Sequence, residues 1–135
     1  MATVVASLLR PGGRLFIREQ HPVLWALDDT CTDRLVIGYS YFEQAEPLVV
    51  DEPGTYVATD TVFEHNVTHE WNHGLSQIVT ALMQAGLQLT MLEEHDSVPW
   101  EALPGQMQCD EHGEWRLIDR PWRLPASYTL QAARV

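Results

Sequence analysis

The sequence predicts one α/β domain, and three patterns along the chain support this prediction. From Leu75 onward, residues 75–85 carry apolar side chains at i, i+3, i+4 and i+7, the spacing of an amphipathic helix. Residues 87–94 alternate apolar and polar side chains, which is typical of a strand. Two further segments, 14–19 and 126–134, have the apolar, turn-bounded composition of buried strands. Helices and strands in such an order indicate an α/β fold.

Turn residues divide the chain into three parts of this single domain, 1–135. Pro11, Gly12 and Gly13 end a first helix and lead into a strand, so residues 2–22 form the end of a helix and a strand. Residues 23–60 mix short apolar pieces with Asp, Pro and Gly, which predicts a lid-like excursion with one or two short strands. Residues 61–135 then contain a strand, a helix, a strand, a long loop and a closing strand.

Composition limits the classes of partner. Nineteen acidic residues against eight basic ones give a net charge of −11, which would repel the phosphates of nucleic acids and anionic membrane surfaces. No apolar run approaches the length that spans a membrane. The two cysteines, Cys31 and Cys109, are far apart and indicate reduced thiols of a cytoplasmic protein.

The segment His69-Glu70-Trp71-Asn72-His73 matches the zinc-peptidase pattern H-E-x-x-H. This pattern binds zinc only on a helix, where the two imidazoles lie one above the other. Residues 61–73, however, alternate with period two and predict a strand whose odd-numbered residues form an inner apolar and aromatic face. In a strand the two histidines would be about 13 Å apart, too far for one metal ion. We therefore predict no metal site here, and a zinc hydrolase is kept as the third hypothesis for the function.

Tryptophans mark several places in the chain. Residues 97–125 predict a long loop with aromatic anchors. All five tryptophans are expected to be core and lid anchors: Trp25, Trp71, Trp100, Trp115 and Trp122. His65 and His95 are expected to be structural.

The order and spacing of three segments resemble a known family. SLLRPGGRLFIREQHP, WNHGLSQIVTALMQAGLQLTMLEEH and LPASYTLQAARV are similar to the C-terminal half of small, single-domain class I S-adenosylmethionine-dependent methyltransferases. The resemblance implies that residues 14–19, 87–94 and 126–134 are the fifth, sixth and seventh strands of a Rossmann-like sheet, the seventh inserted antiparallel. It extends from Leu8 to Val135, apart from the excursion.

The resemblance implies S-adenosylmethionine as cofactor, but the half of the fold that binds it is absent from this sequence. The family uses a glycine-rich turn after its first strand and an acidic residue at the end of the second. No strand followed by G-x-G and a helix occurs here. We therefore predict no cofactor-binding residues, and we expect a homodimer or the missing N-terminal half as partner, because the strand at 14–19 would have an open apolar edge.

Site residues follow from the same resemblance. The segment after the fifth strand and the segment before the next helix line the acceptor pocket in this family, at the carboxyl ends of the strands. The predicted pocket, which would take a small-molecule methyl acceptor, is formed by Glu19, His21, Trp25, His69, Trp71 and His73. A histidine or glutamate there could act as a general base, but no catalytic residue is assigned.

Three functions stay open on the sequence alone. The first is the acceptor-side part of a methyltransferase that does not bind the cofactor alone. The second is a non-enzymatic binding or dimerisation module built on the half fold. The third, the zinc hydrolase, requires residues 65–74 to be helical.

Overall fold

The computed structural model describes residues 1–51, 60–61 and 63–135. Three α-helices lie within this part of the chain, α1 (Ala2–Leu8), α2 (Pro22–Trp25) and α3 (Leu75–Gln84), together with a 3-10 turn at Pro121–Arg123. The strands are β1 (Arg14–Gln20), β2 (Leu48–Asp51), β3 (Val67–Glu70), β4 (Leu87–His95), β5 (Ser97–Val98), β6 (Met107–Cys109), β7 (Trp115–Leu117) and β8 (Ser127–Arg134). No described helix has both the length and the apolar character needed to cross a bilayer.

The main sheet has the order β1-β8-β4, and β8 is antiparallel to both neighbours. β8 is central and therefore carries buried side chains along most of its length. Tyr128, Leu130 and Ala132 point to one face, where they pack with Leu82 of α3 and with the inner side of α1. The predicted strands at 14–19, 87–94 and 126–134 agree with β1, β4 and β8 to within a residue.

Helix α3 was predicted from its apolar pattern, and its packing explains that pattern. Its apolar stripe packs Leu75, Ile78 and Val79 against the main sheet, and Leu82 is fully buried there. Gly86, just beyond the helix, has φ +80°, a left-handed conformation that glycine adopts without the steric cost of a Cβ. The chain can therefore turn directly from α3 into β4.

A second, smaller core lies under the segment that follows β4. Val98, Leu103, Met107 and Leu117 are buried there together with Leu24 and Leu27 from the chain after β1, and with Ala126. The three-stranded sheet β5-β7-β6 frames this core. The expectation of a plain loop over 97–125 was thus wrong, because strands of two or three residues are too short to show a period and form only through pairing.

The tryptophans divide between the two environments. Trp100 and Trp115 pack against the smaller core, as expected of anchors. Trp122 is 77% exposed and anchors nothing in the described part of the chain, which corrects that prediction.

The strand predicted at 61–73 is shorter in the structure, and its odd-numbered side chains are exposed instead of forming an inner face. Only Val67–Glu70 is a strand, paired antiparallel with Leu48–Asp51 in a two-stranded ribbon, and residue 62 lies outside the described residues. The odd-numbered residues Val67 and His69 are exposed, whereas Glu70 is half-buried. The inner-face prediction was wrong, because none of the described segments buries Val67 or His69 on the odd face of the ribbon. The even residue at its end instead faces a groove.

The lid-like excursion is ordered by local contacts where it is described. It contains α2, an isolated bridge between Leu27 and Ile37, and β2. Residues 52–59 of this predicted segment lie outside the described residues. The division of the chain into parts of one domain stays a prediction.

An ion pair at the surface connects β1 of the main sheet to the residue that precedes β7 of the smaller sheet. The Arg18 guanidinium of β1 donates to both carboxylate oxygens of Glu114, at 2.8 and 2.6 Å. This hydrogen bonding lowers the pKa of Glu114 to about 2. The pair is partly exposed, so its contribution to stability is about 1 kcal/mol or less.

Candidate functional site

A groove lined by aromatic side chains lies beyond the carboxyl end of β1. Two adjoining cavities, of about 260 and 340 Å³, share one wall made of Trp25, Tyr39, Leu48 and Glu70. We call the two cavities together the aromatic groove. Trp25 comes from α2, Tyr39 from the turn after the Leu27–Ile37 bridge, and the other two from the β2-β3 ribbon.

Short-range backbone contacts place Trp25 and Tyr39 beside each other. The amides of Gly38 and Tyr39 both donate to the carbonyl of Ala26, at 3.0 and 3.1 Å. A Cβ at Gly38 would lie 2.9 Å from Cβ of Asp28, so only glycine allows this close approach. The turn therefore holds Tyr39 next to the end of α2.

Asn72 fixes the end of the ribbon against α2. Its Nδ2 donates to the carbonyl of Pro22 at 2.9 Å and to that of Ser40 at 3.0 Å. The neighbouring Trp71 lines the cavity of about 260 Å³. One amide side chain thus connects the two segments that the resemblance placed at an acceptor pocket.

The six predicted pocket residues are distributed over several environments. Trp25 and Trp71 both line the aromatic groove. Glu19 lines a separate cavity of about 90 Å³, and its Oε1 accepts the amide hydrogen of Gln20. His69 is exposed on the outer side of the ribbon. His73 is partly exposed, with Nδ1 3.7 Å from Oε2 of Glu43.

His21, the remaining predicted residue, is 5% exposed and acts as the N-cap of α2. Its Nδ1 accepts the amide hydrogen of Val23 at 3.1 Å, which places the proton of the neutral ring on Nε2. Nε2 lies 3.0 Å from Oε1 of Glu94 without the geometry of a hydrogen bond. Burial lowers the pKa of His21, and the nearby Glu94 carboxylate only partly opposes this effect. These contacts make His21 a structural cap, and a substrate role for the six residues stays a prediction.

The lowered pKa of His21 predicts a loss of stability in mild acid. The unfolded chain binds a proton at His21 near pH 6.5 and the folded chain only at lower pH, so the free energy of unfolding falls as pH drops below about 6.5. We expect His21→Asn to lose less stability than the wild type between pH 7.5 and 5.5, because Asn also caps a helix and does not titrate. Urea denaturation at the two pH values measures this difference.

Two variants control that measurement. His112→Asn changes a histidine whose side chain is exposed and should leave the pH dependence of the wild type unchanged. His21→Ala removes the cap and should cost about 1 kcal/mol at pH 7.5 as well. An equal loss of stability in the wild type and in His21→Asn would contradict the assignment.

Several residues of the groove were not predicted from the sequence. Glu70 was considered only as part of the H-E-x-x-H pattern, and Tyr39, Leu48 and Glu101 were not considered at all. Glu70 reaches the groove through its pairing with Leu48 across the ribbon. That pairing joins two residues more than twenty positions apart, and no local pattern in the sequence reveals it.

The structure contradicts the helix that the zinc-hydrolase hypothesis requires. Residues 65–74 would have to be helical, but Val67–Glu70 is a strand and no helix begins before Leu75 in this segment. Among the described residues, no group of three or more His, Cys, Asp or Glu is arranged to hold a metal ion.

Comparison with known proteins shows a likeness in fold. Neither a scan against protein-family models nor a search of curated proteins gave a match. A search of solved structures gave a "putative S-adenosylmethionine dependent methyltransferase" from Listeria monocytogenes, with a TM-score of 0.54 and 15% sequence identity. The match covers 99% of this chain and 53% of the other, so the chain spans about half the length of that protein. The fold is therefore mixed α/β and methyltransferase-like.

The described residues do not fit the cofactor that this fold implies. Four glycines have positive φ: Gly12 and Gly86 lie at turns from a helix into a strand, and Gly105 and Gly113 lie in the connections of the smaller sheet. Gly74 lies between β3 and α3, but it is a single glycine and not the G-x-G of a cofactor-binding turn. The turn from β1 into α2 is Gln20-His21-Pro22, without glycine.

Proposed function

We propose that this chain is the acceptor-side part of an S-adenosylmethionine-dependent methyltransferase that acts on a small molecule. The observation that carries the proposal is the position of the aromatic groove at the carboxyl end of β1. β1 belongs to a sheet whose central strand is antiparallel to both neighbours. Ligands of open α/β sheets collect at the carboxyl ends of strands. In this proposal β1, β4 and β8 are the fifth, sixth and seventh strands of the methyltransferase sheet.

The cofactor-binding part lies, in this proposal, outside these 135 residues, either elsewhere in a longer protein or on another chain. β1 has β8 on one side and no strand on the other among the described strands. Helix α1, which precedes β1 in the chain, exposes Val4 and Leu8, four positions apart on one helical face. The open edge of β1 and this exposed apolar face both support a missing strand and helix as the natural neighbours.

Native mass spectrometry of the purified chain with and without S-adenosylhomocysteine tests this assignment. We expect no adduct, because the residues of the cofactor site are missing. An adduct with the mass of the cofactor would overturn the placement of cofactor binding outside the chain.

The open edge of β1 also favours a second candidate, a non-enzymatic dimerisation module. Two copies could pair their β1 strands about a twofold axis. A defined homodimer that binds neither the cofactor product nor any small molecule in the aromatic groove would support this candidate over the methyltransferase part.

A further inference from the structure

We infer that the aromatic groove binds an organic cation, a small ligand with a protonated amine or a quaternary ammonium on an apolar body. The inference takes from the proposed function only that the groove is the ligand site. It requires neither the cofactor nor methyl transfer.

The aromatic walls supply the first part of the argument. Trp25 and Tyr39 belong to both cavities, Phe42 and Trp71 line one, and Trp100 lines the other. The faces of such rings carry negative potential and attract ammonium groups within about 6 Å, most strongly when the cation is desolvated. A groove lined by rings from several segments can contact both an ammonium group and its apolar body.

The charges of the lining supply the second part. Glu70 belongs to both cavities, Glu46 lines one, and Asp29 and Glu101 line the other. Glu70 is half-buried, and the hydroxyl of Thr68 donates to its Oε1 at 2.7 Å, which orients the carboxylate. A negative charge held beside aromatic rings favours a positive ligand and disfavours a neutral or negative one.

No basic side chain of the chain competes for this place. All eight basic residues of the sequence are arginines, and every one of them lies within the described residues. None lines either cavity. Several are engaged elsewhere, Arg18 with Glu114 and Arg116 with Asp96 and Asp110. A cationic ligand would therefore meet no competing arginine in the groove.

Three probes of similar shape and different charge test the inference on the whole chain. Choline carries a trimethylammonium head, and 3,3-dimethylbutan-1-ol is its uncharged isostere with a tert-butyl head. 3,3-Dimethylbutanoate has the same tert-butyl head as the alcohol and a carboxylate at its other end. We expect choline to bind about tenfold more tightly than the alcohol, and the carboxylate to bind more weakly than both. Chemical-shift titrations of the tryptophan indole N–H signals measure affinity and place the ligand at Trp25 or Trp71.

Two matched variants separate local from distant charge. Glu70→Gln should reduce choline affinity about fivefold to tenfold and leave the affinity for the alcohol unchanged. Glu111→Gln makes the same change of net charge at a side chain that is 87% exposed and outside the groove, and it should leave both affinities unchanged. Far-UV circular dichroism verifies that each variant is folded.

The outcomes are distinct from those of the proposed function. Equal affinity for choline and the alcohol, no shift with choline at tens of millimolar, or equal effects of the two variants would each overturn the inference. Selective choline binding that Glu70→Gln weakens and Glu111→Gln does not would support it. That result would stand even if an adduct with S-adenosylhomocysteine overturned the placement of the cofactor site.

Discussion

Replacing Leu130 by Ala is expected to destabilise the fold by about 3 to 5 kcal/mol, a large part of the roughly 5 to 15 kcal/mol by which folded domains are stable. Leu130 is 0% exposed and lies in the middle of the central strand β8, between Ile17 of β1 and Leu92 of β4. Removing its branched side chain leaves a cavity that the main sheet cannot close, because both neighbouring strands pair with the β8 backbone. Urea denaturation followed by circular dichroism measures the free energy of unfolding.

Leu92→Ala is the matched control for this variant. Leu92 is the register partner of Leu130 but is 40% exposed, so the same chemical change should cost much less, about 1 kcal/mol. Should the two variants lose equal stability, the packing described for the main sheet would be wrong. If Leu130→Ala does not fold at all, Leu130→Met, which conserves volume, keeps the comparison measurable and should cost less than about 1.5 kcal/mol.

The second large effect is expected at the open edge of β1. We expect the isolated chain to self-associate at tens of micromolar, and Phe16→Lys to weaken this association about tenfold or more. Phe16 is 63% exposed on β1, and covering one aromatic side chain is worth about 1.5 to 3 kcal/mol. A lysine on an edge strand would lose solvation when another strand pairs beside it. Sedimentation velocity over a range of concentrations measures the association.

The control for this experiment is Ile118→Lys. Ile118 is 58% exposed and follows β7 in the smaller sheet, so it offers a similar apolar surface away from the edge of β1. A wild-type chain that remains a monomer at tens of micromolar would contradict the role assigned to the edge. So would an equal effect of both substitutions, which would indicate general surface hydrophobicity.

The elements that the sequence predicted well are those specified by local pattern. Helix α3 has both its apolar stripe and its terminating Gly86 within a dozen residues, and β1, β4 and β8 have apolar centres between turn signals. The strands of the smaller sheet were missed because their formation depends on pairing partners, such as Met107 with Leu117. Their short lengths leave no period to detect.

The candidate site was predictable only in part, for a related reason. The resemblance implied that Trp25 and Trp71 lie at an acceptor pocket, and both line the aromatic groove. Tyr39 and Glu70 reach the groove through a glycine turn at Gly38 and through the pairing of β2 with β3, both of which are decided by contacts between distant segments. The alternation at 61–73 correctly indicated a strand, but it could not tell which face of the strand would be covered.

The central place of β8 has a consequence for the order in which the fold can assemble. Each residue of β1 pairs with a residue that follows it by more than a hundred positions. Among the described strands, β1 and β4 pair only with β8, so during synthesis neither has a partner among these strands until β8 has left the ribosome. The entropy of closing this long loop is lost before the first pair forms, which slows folding and lengthens the time for which two apolar strands are exposed to other chains.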